Sequence, residues 1–67
     1  MDRISVRVVG ECPNGHVVHV EDSTEFDLSF IPDGEIKRLK GRNKKRLDRQ
    51  HITDHQCHEA LVIEVGT

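Results

Sequence analysis

At 67 residues, with 34% apolar residues, two aromatic rings and a net charge of −2, the chain has room for one small core and little material to fill it. No apolar run approaches the ~20 residues that a membrane-spanning helix needs, and the opening MDRISVRVVG has no basic stretch leading into an apolar one. We therefore expect one small cytoplasmic domain over residues 1–67, with no membrane contact and both cysteines reduced. A core this sparse favours reinforcement by a metal, a disulfide or a second copy.

From the N-terminus, RISVRVV alternates Ile4, Val6 and Val8 with Arg3, Ser5 and Arg7, the period of a strand with one buried face. ECPNG follows, and its Asn-Gly pair predicts a hairpin turn. HVVHVE then reads as the returning strand, with His16, Val18 and Val20 on one face and His19 on the other. TEFDLSF, residues 24–30, repeats the alternation through Phe26, Leu28 and Phe30 and predicts a third, meandering strand. Pro32 ends it. Asp33 is placed to N-cap a short helix over about 34–40, with Glu35 early, Ile36 and Leu39 inward, and Gly41 as the C′ residue. Between Arg42 and Arg49 only Leu47 is apolar, so that piece reads as a loop or a short exposed helix capped by Asn43. Residues 51–57 read as extended and irregular, and a last strand at about 59–65 is expected to pair with the first. The class is α+β: a small antiparallel sheet of about four strands, a meander plus a C-terminal strand that could form an incomplete barrel, with one or two short helices.

Two stretches carry chemistry. The first is Cys12 and His16, flanking Pro13-Asn14-Gly15, together with HITDHQCH at 51–58. Thiolates and imidazoles are the ligands of structural zinc, often supplied as two separated pairs. A tight turn brings Cys12 and His16 round to one point. CPNGH partly resembles the Cys-Pro-x-Cys-Gly knuckle of zinc ribbons, but Gly15 stands where the second cysteine belongs, so no family follows from it. In an extended segment His55 and Cys57 share a side. The predicted Zn2+ ligands are Cys12, His16, His55 and Cys57, with His51 and His58 as substitutes. A helical arrangement of His51, His55 and His58 is disfavoured by the β-branched Ile52 and Thr53. Cys57 lies near His55, His58 and Asp54, yet no oxyanion-hole pattern accompanies it, so an enzyme is not expected.

The second stretch is KRLKGRNKKRLDR, residues 37–49. Lys37, Arg38, Lys40, Arg42, Lys44, Lys45, Arg46 and Arg49 face only Asp48, a net of +7, so the remainder of the chain carries −9. Such a run draws polyanions, RNA first and DNA by the same phosphate contacts. With Phe26 and Phe30 assigned to the core, no base-stacking surface is expected. The alternative is a protein-interaction module, the run meeting an acidic protein or the acidic body of another copy in self-association.

Overall fold

The computed structural model describes residues 3–27 and 29–66. Its elements are β1 (Ile4–Glu11), β2 (Val17–Thr24), α1 (Asp33–His55) and β3 (Val62–Gly66). β1 lies between the other two strands and is antiparallel to both, with Val8 opposite Val20 on one side and Val65 on the other. β2 and β3 therefore run parallel to each other, and α1 crosses between them over one face of the sheet. This is a split β-α-β arrangement preceded by a hairpin.

The hairpin forms as the sequence predicts. The Gly15 N–H donates to the Cys12 carbonyl at 3.0 Å, and the Cys12 N–H donates to the His16 carbonyl at 3.1 Å. Pro13 opens the turn, and Gly15 has φ +86°, which only a residue without a Cβ adopts at no steric cost. The alternation in β1 buries Val6 and Val8 and leaves Ser5 and Arg7 exposed. Val18 does the same in β2, while His19 points to the open face.

Beyond β2 the structure departs from the alternation. Residues 25–27 and 29–31 form bends and a turn rather than a third strand, and Leu28 lies outside the described residues. The Ser29 N–H and hydroxyl both donate to Asp27 Oδ1, and the Phe30 N–H donates to the Asp27 carbonyl. That local bonding satisfies backbone groups a ladder would otherwise need. Phe26 and Phe30 are consequently 43% and 83% exposed instead of buried. The sheet has three strands among the described residues and stays open, not a barrel.

The larger departure is α1. It is one 23-residue helix through Gly41, Asn43 and the whole basic run, ending at His55. Asp33 is its first residue rather than its cap. Pro32 holds the cap position, and its carbonyl accepts from the Glu35 and Ile36 N–H groups. The buried side of α1 is Glu35, Leu39, Asn43, Leu47 and His51, a row at every fourth residue. Leu47 joins Val8 and Val18, with Val20, Leu61, Ile63 and Val65 packed around them. Leu61 comes so close to β1 that a Cβ on Gly10 would lie 3.0 Å from its Cδ1.

The polar members of the row are each answered. The Thr24 hydroxyl donates to Glu35 Oε2 at 2.6 Å, and Arg38 donates to both Glu35 oxygens. Asn43 Nδ2 donates to Asp22 Oδ2 and to the Leu39 carbonyl. His51 is the exception.

Candidate metal centre

Each half of the site is set by local backbone geometry. At the hairpin tip, the three-residue loop between Cys12 and His16 returns the chain sharply and leaves both side chains beside the end of α1. At the other half, α1 stops at Gln56, which adopts a left-handed φ, ψ of 51°, 41° while its N–H still bonds the Ile52 carbonyl at 2.8 Å. This reversal folds Cys57 back toward His51, one turn and more before it.

The result is one cluster. Cys12, His16, His51 and Cys57 offer one ligand atom each, all within 4.8 Å of one another. Cys12, His51 and Cys57 are buried and His16 is half-buried. With Zn–S near 2.3 Å and Zn–N near 2.0–2.1 Å, the edges of a tetrahedral site are roughly 3.3–3.8 Å. A contraction of about 1 Å at the widest pair closes the site around an ion. Both cysteines are free thiols.

Two atoms test the fit. Among the described residues, His16 Nδ1 and His51 Nε2 are buried with no hydrogen-bond partner. A buried polar atom without a partner costs about 1–3 kcal/mol, and these two occur on the two imidazoles of the cluster. A metal ion would satisfy both at once. Asn14 Nδ2 lies 3.5 Å from Cys57 Sγ and donates toward it, the outer hydrogen bond that a charged sulfur ligand would use. The pKa of His16 is lowered, first by desolvation and then by the neighbouring His55 and His51 rings, which favours the neutral imidazole a metal binds.

The predicted residues are thus distributed unevenly. Cys12, His16 and Cys57 come together, but His51 stands where His55 was expected. Residues 51–55 are helical, not extended, so His55 and Cys57 do not share a side in the manner predicted. His55 instead stacks on His16, centroids 4.3 Å apart and rings 7° from parallel. It is exposed and forms one wall of the cluster. His58 is exposed as well, beside Cys57 on the rim of a neighbouring cleft. His51, named from the sequence as a substitute ligand, ends the every-fourth-residue row that begins at Glu35.

The basic residues of the 37–49 run all fall on α1. Lys37, Arg38, Arg42, Lys44, Lys45, Arg46 and Arg49 are exposed and Lys40 is half-buried. Arg38 pairs with Glu35 and Arg42 with Asp22. Among the described residues, the other six have no carboxylate within 4.0 Å. No described helix is long and apolar enough to cross a membrane.

No protein-family profile, curated protein or solved structure matches this chain.

Proposed function

We propose that this chain is a non-enzymatic binding domain in which a structural zinc ion fixes α1 on the sheet so that its basic side can meet nucleic acid, RNA before DNA. The observation that carries the reading is the pair of unpartnered imidazole nitrogens within the Cys12, His16, His51 and Cys57 cluster. Four protein ligands fill a zinc coordination sphere, which suits a structural ion and leaves no position for a reacting water.

The ion would act at the point where the core is thinnest. α1 contributes only Leu39 and Leu47 as fully buried apolar side chains, and the row ends at His51. A metal there ties the last turn of α1 to the hairpin tip and to the segment leading into β3. Most of the net +7 between residues 37 and 49 lies on the solvent side of the helix so fixed. Rigid display reduces the ordering cost of binding a polyanion.

Two measurements test the reading. Elemental analysis of the purified protein should give one zinc per chain, and chelator should lower the melting temperature. A labelled RNA should bind at about 50 mM salt with affinity falling steeply as salt rises. Absence of stoichiometric metal together with an unchanged melt overturns the metal half. Absence of RNA and DNA binding at that salt, with an acidic peptide bound instead or a dimer in sedimentation, replaces the nucleic-acid half with protein interaction.

A further inference from the structure

We propose that the seam between β2 and α1 is a track for a single-stranded polynucleotide, with phosphates on Arg46 and Arg49 and a base stacked on Phe26. This rests on the nucleic-acid reading above and adds to it a location, a strandedness and named contacts.

The arginines of the basic run share one side of α1, and Lys45 stands among them. Those arginines are Arg38, Arg42, Arg46 and Arg49, spaced four, four and three apart, which places all of them on one ridge of α1. Lys37 and Lys44 lie off that ridge. The ridge borders β2: Arg42 Nε is 3.7 Å from Asp22 Oδ2, and Arg46 donates to Asn43, which itself holds Asp22. From Arg38 to Arg49 the ridge extends about 16 Å, the reach of a few nucleotides. Guanidinium groups grip phosphate oxygens two at a time, whereas an ammonium offers only a point charge.

Two clefts follow one another along this seam. One, about 470 Å³, is lined by Val20 of β2 and by Lys45, Arg46, Arg49 and Asp54 of α1, three cations against one acid. The other, about 350 Å³, is lined by Arg3, Glu25, Phe26, Glu35, Arg38 and Arg42, three cations against two acids. They are not equivalent. In the second cleft Arg38 is taken up by Glu35, and Arg3 by Ser23 and Glu25. Arg42 in turn is paired with Asp22, so phosphates are assigned to the first cleft. The second cleft contributes the Phe26 ring, left 43% exposed because residues 25–27 are not a strand. Stacking on an exposed ring needs an unpaired base, which selects a single strand over a duplex.

The test uses the full chain with its metal and three labelled probes: an oligouridylate, an RNA duplex of equal length, and an oligoglutamate peptide. Anisotropy titrations should rank the single strand first. Phe26→Ala should weaken it about 10-fold, and Phe26→Leu, which keeps apolar volume but removes the ring, should do the same. Arg46→Ala combined with Arg49→Ala should reduce the slope of log affinity against log salt by about 1.4, two phosphate contacts on a single strand. Lys37→Ala with Lys44→Ala should change that slope less. Melting curves confirm that each variant is folded.

If the single strand binds but only the lysine pair weakens it, the seam is overturned while the nucleic-acid reading stands. The same holds if the duplex binds as tightly and Phe26→Leu is silent. If neither polynucleotide binds and the peptide does, both fall.

Discussion

The rings of His16 and His51, one in the hairpin turn and one in α1, sit 5.6 Å apart edge to face, and each carries a buried nitrogen without a partner. A pair of packed core histidines would bond each other, a carbonyl or a carboxylate; among the described residues, these two nitrogens do none of the three. The relationship predicts a sharp difference between neighbours. His51→Gln and His16→Gln should each abolish stoichiometric zinc, and Cys12→Ser and Cys57→Ser should act alike. His55→Gln should retain one zinc per chain, because His55 stacks on the cluster without belonging to it. Elemental analysis of the five variants checks this, and metal lost only with His55 would reverse the assignment.

Metal removal should be felt as stability. A ligand held 1,000-fold above its dissociation constant stabilises the folded chain by about 4 kcal/mol. In a domain of this size 1 kcal/mol moves the melting temperature by about 4–8 °C, so chelation should lower it by roughly 16–32 °C. The aliphatic core remains, so some cooperative melting should survive in chelator at low temperature. A shift of less than about 4 °C would mean that the cluster does not staple the fold.

Acid should act at a second place, the other end of α1. Hydrogen bonds from Arg38 and then from Thr24 lower the Glu35 pKa from 4.5 to about 2. The folded pKa lies below the unfolded one, so Glu35 contributes stability in full above about 4.5 and loses it as pH falls from there toward 2. Urea midpoints measured in chelator between pH 2 and 6 should therefore decline through that window. Glu35→Gln should flatten the decline while lowering the midpoint at pH 6. An unchanged slope in the variant would show that the Thr24–Glu35–Arg38 contact is not what titrates.

The middle of the helix row is held by packing. Leu47 is fully buried against Val8 and Val18, and its replacement by alanine should cost about 2–5 kcal/mol. Asn43→Ala removes the amide that satisfies Asp22 Oδ2 and should cost about 1–3 kcal/mol. Denaturant unfolding measures both. The larger loss belongs to Leu47, since Arg42 still neutralises Asp22 when Asn43 is gone.

What the sequence disclosed follows from where its hydrophobic signal is strong. β1, the Asn14-Gly15 turn, β2 and the pairing of β3 with β1 were legible because Val6, Val8 and Val18 alternate with polar residues at period two. α1 was not, because three of its five buried residues are Glu35, Asn43 and His51, and a polar stripe gives no amphipathic signal. Gly41 then looked like a terminus, whereas an exposed glycine in a long helix costs only about 1 kcal/mol and was outweighed by Leu39 and Leu47 on either side of it. TEFDLSF failed in the opposite direction. Its alternation is strand-like, but Asp27 and Ser29 bond each other locally and the chain turns. That Cys12 and His16 come together at the hairpin was readable from spacing alone. His51 was not chosen over His55, since that choice depends on the helix.

The thiols give one more test, because Cys12 and Cys57 Sγ lie no more than 4.8 Å apart and neither is bonded to anything covalently. With zinc bound, both sulfurs are occupied and shielded. Without it, two adjacent thiols can transfer two protons and two electrons to hydrogen peroxide, giving a Cys12–Cys57 disulfide and two waters. Such a link closes a long loop and constrains the unfolded chain by roughly 4 kcal/mol, so it would replace part of the stability that chelation removes. We expect metal-free protein to form this single intramolecular disulfide within minutes of peroxide addition, visible by mass as the loss of two hydrogens, and zinc-loaded protein to resist it. Equal oxidation rates with and without metal would show that the ion, if bound, does not sit on these sulfurs. Intermolecular dimers in place of the internal link would show that the hairpin tip and the end of α1 do not hold the two thiols together.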